Sequence, residues 1–455
     1  MPKAEKSPLR AFFDIRREEL PDAIMMFSYF LLVITTFWVL KPLKKSLFIS
    51  HYDVTGLDLV ALHLSAAQTE LLAKVLNLVV AYFATTAFSA LSSRYHRQQL
   101  THIFSTGFIG AFLLFAWLLL EPGSVSVWTF YLLGDLYSTL MVATFFVFLN
   151  DIATPDSAKR TYGVIGLGGV VGGMLGSMAL ASLIQRVPLW AWLLGCCLIM
   201  VAIMVIAAAV GRRHPRRDDA RASASTASKA NEAGGNPAFD GARLVLRSRY
   251  LLAIVGIVAI YEMVSTILDF QFSATLSHYL DGNAIRDHLT LVFAIMNGTA
   301  FVVQLLMTSY VMKHWGLRTA LLVLPATTLL ASVGFLALPI LWMGSLIPTL
   351  DGAFSYSVNQ SAKESLYIPT TREERYKAKA FIDMFVQRFA KALAVVLSLG
   401  LTLLVADFAG VRWLSLVTLV LIGIWSVLAR YAGTHFDDLA LEAEATAETG
   451  SPDER

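Results

Sequence analysis

Cysteine is almost missing from this chain: there are two, Cys196 and Cys197, adjacent in one apolar run. That pair excludes a disulfide framework and a cysteine-based metal site. Charge is scarce as well. Asp, Glu, Lys and Arg make up 15% of the residues, where a soluble chain carries about a quarter. The alternating apolar period of a membrane barrel is absent, so strands are not expected. No GxxxxGK[ST] loop occurs, which argues against ATP hydrolysis by this chain alone. No His, Asp and Ser constellation or metal-ligand spacing is found. The chain is therefore read as a non-enzyme without cofactor or metal.

What fills the sequence is long apolar stretches. Hydrophobic residues make up 56% and the mean hydropathy is +0.62. Runs of about twenty apolar residues recur, each long enough to cross a bilayer. The reading is an all-α, multi-pass membrane protein. The expected spans are roughly 22–50, 68–92, 99–121, 126–150, 162–185 and 188–211, then 250–278, 288–313, 318–343, 345–367, 376–406 and 411–432, about twelve helices in two sets of six. A charged arm, 1–21, precedes the first half (22–211). A linker rich in Arg, Ala, Ser and Gly, 212–249, separates it from the second half (250–432). An acidic tail, 433–455, follows. The first apolar segment has a charged flank and no small-residue cleavage site, so it is read as a retained helix.

Lys and Arg placement sets the orientation. With the N-terminus inside, one side receives Arg94, Arg97, Lys159, Arg160, the basic linker, Lys313, Arg318 and the elbow Arg372–Lys379. The other receives Arg186, Arg286 and Arg412. Both termini are thus expected in the cytoplasm. Two six-helix halves with a long cytoplasmic linker is the layout of the major facilitator fold, which places a substrate site near the membrane middle.

Ionisable residues inside such helices are costly and by default mark function. Lys41, Lys44 and Lys45 close the first helix within a three- or four-residue spacing, so they can share a face. Snorkelling to the interface is the bland alternative. It conflicts with the topology, because that end lies on the side poor in positive charge. Glu70 and Lys74 are four apart and are read as a structural pair. Asp135 lies midway along the fourth helix, and Asp151 at its end, where it can cap the next segment. Glu262 and Asp269 are seven apart on the seventh helix and can balance the first-helix lysines. Asp351 lies in the tenth helix. Lys379, Asp383, Gln387 and Lys391 recur every four residues in the eleventh, with Arg388 beside them, and Lys363 and Glu364 end the tenth. A basic polar cavity suits an anionic solute, since Lys and Arg satisfy phosphate or carboxylate oxygens. GVIGLGGVVGGMLGS repeats glycine four apart. Without a preceding strand it is a helix-packing motif and not a dinucleotide fingerprint. The sequons at Asn297 and Asn359 fall inside expected helices and are discounted.

FFVFLNDIATPDSAKRTYGVIGLGG resembles the Asn-Glu and Ala-Lys-Arg-Phe-Tyr elbow of the ATP/ADP translocases of plastids and obligate intracellular bacteria. KESLYIPTTREERYKAKAFIDMFVQRFAKALA resembles their Glu-x-x-Tyr-Ile-Pro and Lys-Gly-Lys stretch. IYEMVSTILDF is similar to their seventh-helix segment, and KPLKKSLF sits at their Arg-Asp-Thr-Lys-Asp. The resemblance implies a nucleotide exchanger with a major-facilitator-like fold, a homologue in a bacterial inner membrane. It carries transport-linked charges onto Lys44, Asp151, Glu262 and Lys379, with Lys377 as the alternative to the last. Pro42 and Lys45 replace two family acids, Asp151 a Glu, Thr266 a Lys and Ala378 a Gly, making the first helix more basic.

The expected partners are a small anionic solute, a nucleotide by resemblance, and membrane lipid, with no nucleic acid. Substrate contact is assigned to Lys41, Lys44, Lys45, Lys379, Arg388 and Lys391. Gate or counter-charge roles go to Asp151, Glu262, Asp269, Lys363, Glu364 and Asp383. Two other readings stay open. One is a facilitator for another organic or phosphorylated anion, proton-coupled through Asp269 or Asp383. The other is a non-transporting membrane scaffold or assembly factor.

Overall fold

The structure is a computed structural model that describes residues 16, 18–59, 62–92, 94–153, 155–213, 243–367, 369–370, 378–379, 381–404 and 408–449. The N-terminal arm apart from Arg16, most of the central linker, the elbow Arg372–Lys377 and the side chain of Asp383 lie outside the described residues. Helices dominate, in the order α1 (Leu20–Tyr52), α2 (Ala66–Ser92), α3 (Arg97–Leu118), α4 (Ser124–Ile152), α5 (Pro155–Leu183) and α6 (Leu189–Arg213). There follow α7 (Arg249–Tyr279), α8 (Gly282–His314) and α9 (Gly316–Ala337). α10 runs over Leu341–Phe354, Ser355–Asn359 and Gln360–Ser365, α11 over Ile382–Val386 and Gln387–Leu404, and α12 over Phe408–Thr449. Among the described residues, 11 helices are long and apolar enough to cross a membrane. α10 stands outside that set: Pro348, Asp351, Ser355 and Ser357 make it polar, and its α-helical course is interrupted.

One local feature departs from the sequence reading. A two-stranded antiparallel ribbon, β1 (Leu57–Leu59) and β2 (Leu62–Leu64), forms between α1 and α2. Its alternation, Leu-Asp-Leu and Leu-His-Leu, is far too short for a barrel strand yet enough for a hairpin. Gly56 enters it at φ +60°, a conformation that favours glycine. The last helix runs past Arg430 to Thr449. The segment from Leu439 to Thr449 is rich in Ala, Leu and Glu, strong helix formers, and Gly450 follows.

The chain divides into two compact units. The first comprises Met1–Ser223 with Asp281–Asn297, and the second Ala224–Leu280 with Gly298–Arg455. The opening turns of α8 therefore group with the first six helices, which nothing in the sequence pattern announces.

In the first unit α1 packs on α4, α5 and α6. Lipid gives apolar helices no hydrophobic reason to associate, so close packing of small residues must supply it. The glycine run of α5 does this. A methyl group on Gly168, Gly172 or Gly176 would meet the carbonyl oxygens of Phe27, Leu31 and Thr35 at 2.6, 2.4 and 2.6 Å. Both series step by four in the same direction, so the two helices run parallel. Thr35 Oγ1 also donates to the Gly172 carbonyl at 3.2 Å. Around this seam Tyr29, Phe108, Phe112, Tyr137, Phe145 and Phe148 form an aromatic core. The buried hydroxyls in it are served: Tyr29 bonds Thr101 at 3.1 Å and Tyr137 donates to the Val33 carbonyl at 3.2 Å. At the start of α1, Arg160 clasps Glu19 through two bonds of 3.1 and 2.6 Å. The Arg160 guanidinium holds the Glu19 carboxyl below its usual pKa.

In the second unit α7 packs on α10, α11 and α12, and α9 on α10 and α12. Gln271 donates to the Val411 carbonyl at 2.9 Å and to Ser415 at 3.0 Å. Tyr250 donates to the Leu366 carbonyl at 2.7 Å. Three π-helical segments interrupt these helices: Val303–Thr308 in α8, Ser355–Asn359 in α10 and Ile382–Val386 in α11.

Candidate functional site

In the first unit charged side chains gather in one cluster, and in the second they stand in separate pairs. In the first, they come from α1, α2 and α4. Pro42 sits inside α1 and cannot donate the hydrogen bond of its turn. The three lysines flank it, each on a different support. Lys41 lies over the rings of Trp38 at 4.6 Å and Phe293 at 5.4 Å, and a ring face attracts an ammonium electrostatically. Lys44 pairs with Asp135 of α4 and lies 4.4 Å from the centre of the Tyr131 ring. Its stem passes Gly134, where a methyl group would meet Lys44 Cδ at 2.6 Å. Lys45 meets Glu70 of α2 at 3.3 Å. Glu70 is a hub: Lys74 lies 3.7 Å away and the Tyr131 hydroxyl donates to it at 3.1 Å. Two carboxylates, Glu70 and Asp135, thus meet three lysines, 44, 45 and 74, with Lys41 held over rings on the same helix. A cluster rich in ammonium groups suits an anion.

Among the described residues the second unit has two separate pairs. Lys391 of α11 meets Glu262 of α7 at 3.4 Å. Lys379 meets Glu364 at 2.5 Å and lies 5.6 Å from the centre of the Tyr367 ring. Near the first pair, Ser265 donates to Asp351 at 2.9 Å.

A family model described as TLC ATP/ADP transporter matches residues 117–347 and 338–436. The chain belongs to this family. Among the relatives of this TLC protein is ADP,ATP carrier protein 1 of Chlamydia pneumoniae, 23% identical over 94% of this chain and 95% of its own. The plastidic ATP/ADP-transporter of Solanum tuberosum is 23% identical over 71% of this chain and 56% of its own. Of solved structures, a POT family transporter in complex with 5-aminolevulinic acid superposes with a TM-score of 0.64, at 11% identity over 90% of this chain and 96% of that one. A D-xylose-proton symporter gives 0.59, at 12% identity over 92% and 97%. At those identities the structures establish the fold, which is of the major facilitator type.

Against this geometry the sequence-derived candidates separate. Lys41, Lys44 and Lys45, read from their spacing as able to share a face, reach different partners: the Trp38 and Phe293 rings, Asp135 of α4 and Glu70 of α2. Lys44 and Lys45 take their counter-charges from α4 and α2 of their own unit, whereas the sequence reading looked to Glu262 and Asp269. Glu262 instead holds Lys391, and Asp269 is half-buried on α7 with Ser273 bonded to its carbonyl. Glu364 holds Lys379, with half-buried Lys363 next to it. Arg388 is half-buried on α11, and Asp151 is exposed at the end of α4. The four-residue stripe of α11 is not a single straight row: the π segment Ile382–Val386 lies between Lys379 and Lys391. Glu70 and Asp135 are the partners that the sequence did not assign. One signal for Asp135 was available, since Tyr131 and Asp135 stand four apart on an apolar helix with Gly134 between them. Asn297 and Asn359 are buried, consistent with discounting both sequons.

Proposed function

We propose that this integral membrane protein exchanges nucleotides across a bacterial inner membrane by alternating access, as a carrier and not an enzyme. The single observation that carries the reading is membership of the TLC ATP/ADP transporter family across both halves. The cationic cluster on α1 supports it, because it offers ammonium groups to a polyphosphate chain. In this reading Lys41 and Lys44 hold phosphate oxygens in the first unit, and Lys379, Arg388 and Lys391 are the candidate anion contacts of the second. Glu262, Glu364 and Asp151 act as counter-charges, and both termini are cytoplasmic. The test uses proteoliposomes. Vesicles preloaded with ADP are expected to take up labelled ATP, and empty vesicles are not. Lys44→Gln should cut that uptake at least tenfold. Uptake driven by a pH gradient into empty vesicles would point instead to a proton-coupled facilitator.

A further inference from the structure

The three α1 lysines look alike in sequence but are held in unequal ways. Lys45 and Glu70 are both enclosed, with side chains 5% and 1% exposed. Glu70 also serves Lys74 and the Tyr131 hydroxyl. Pulling Lys45 away would leave a buried carboxylate short of its partners, which is costly. The Lys44 pair differs. Lys44 is 6% exposed, but Asp135 is 26% exposed. Lys44 is the ion-pair partner of Asp135 among the described residues. The lysine stem is threaded past Gly134, and its ammonium lies against the Tyr131 ring. The more open member of this pair is thus the anion, and the enclosed member is the cation. An incoming oxyanion reaches the Lys44 ammonium most readily where the carboxylate now sits.

We propose that Asp135 is an internal competitor for substrate phosphate at Lys44, and that this competition sets the affinity of the carrier. The inference rests on the polyphosphate reading above and deepens it. Substrate binding is then an exchange of anions at a fixed cation. The phosphate takes over Lys44, and the Asp135 carboxylate swings to the more open side. Asp135 is a positioning residue that acts through Lys44. A pair that is closed nine-tenths of the time lowers apparent affinity about tenfold.

The experiment measures binding of ATP and of inorganic tripolyphosphate to the purified full chain in four variants. Asp135→Asn should tighten binding of both by about tenfold, and Asp135→Glu should return it to within about threefold of the parent. Lys44→Gln should weaken binding. Adding Asp135→Asn to Lys44→Gln should change nothing further, because the competitor acts only through the lysine. A merely structural role does not tighten binding. Weaker or unchanged binding in Asp135→Asn overturns the proposal. So does a difference between Lys44→Gln and the double variant, since Asp135 would then touch the ligand itself. If Asp135→Asn fails to fold because it strands Lys44, Asp135→Ser is measured in its place, with the same expected tightening and the same overturning result. If the parent binds tripolyphosphate but no nucleotide, the nucleotide reading falls and this one stands. If neither ligand binds to the parent or to Asp135→Asn, both fall.

Discussion

In the first unit α1 and α5 meet backbone to backbone along Gly168, Gly172 and Gly176, and Lys45 and Glu70 lie sealed between helices. In the second unit the helices are interrupted by three π-helical segments. Its ion pairs are also open: Lys391 is 46% exposed beside Glu262, and Glu364 is 44% exposed beside Lys379. A π turn carries one more residue than the α-helix around it and marks a place where a helix bends or shifts register, often at a functional site. The contrast indicates a division of labour. The first unit fixes cations in place by steric closure and enclosed charge, while the second holds its charges in pairs that can be remade.

The largest effect should come from breaking the steric closure. Gly172→Leu puts a branched side chain where even a methyl group would lie 2.4 Å from the Leu31 carbonyl. The neighbour is backbone and cannot rotate away, so α1 and α5 must part. The variant is expected to yield no monodisperse folded protein in detergent. The matching change in the second unit, Gly423→Leu, starts where an added methyl group meets nothing within 4 Å and should leave thermal stability equal or higher by up to about 1 kcal/mol. Equal behaviour of the two variants would remove the distinction.

Charge should separate the units next. Glu70→Gln leaves Lys45 enclosed without its carboxylate and should cost about 3–5 kcal/mol, the range for breaking a buried pair. Glu364→Gln in the second unit removes a half-exposed partner and should cost about 0–1 kcal/mol, yet lower the rate of exchange. Thermal unfolding and proteoliposome uptake on the same preparations read both. A large stability loss for Glu364→Gln would mean that its pair with Lys379 is structural.

A third change bears on the π segments. Deleting Met384 shortens Ile382–Val386 by one residue and lets α11 close as a regular helix. Fold and thermal stability should be kept, because the helix gains regular hydrogen bonds. Exchange should fall at least tenfold, because a regular α11 loses the place where it can bend or shift register between Lys379 and Lys391. Undiminished uptake would show that the π turn has no part in transport.

These contrasts also mark what was legible in the sequence. The helices, their order, the glycine seam and the polar positions of α1, α7 and α11 follow from local patterns. Apolar length, four-residue glycine spacing and intramembrane charge each depend on near neighbours in the chain. Partnership was not legible. Glu70 looked settled with Lys74 because the two are one turn apart, but its nearer cation, Lys45, is on another helix. Asp135 had no visible partner, because the Lys44 stem reaches it through a gap that exists only where Gly134 lacks a side chain. The π turns were also hidden: the sequence of α11 keeps an unbroken four-residue polar period, and tertiary packing overrides it.

The smallest effect is expected at the first-unit clasp outside the membrane span, between Arg160 and Glu19. Here a paired but partly solvated charge tests how far the closure of that unit extends. Glu19→Gln should cost about 0.5–1 kcal/mol, as for a well-oriented surface pair. Its pH dependence gives the sharper reading. Arg160 lowers the Glu19 pKa in the folded state, so the unfolded chain binds this proton more readily. The contribution is therefore full above the ordinary glutamate range and is lost as pH falls through the lowered folded value. Melting temperatures of parent and Glu19→Gln should differ at pH 7 and converge as pH falls through the lowered Glu19 value. A gap that persists in acid would mean that Glu19 stabilises the start of α1 by packing and not by its charge. The sealed character of the first unit would then extend beyond the membrane, to the first turn of the helix that carries its lysines.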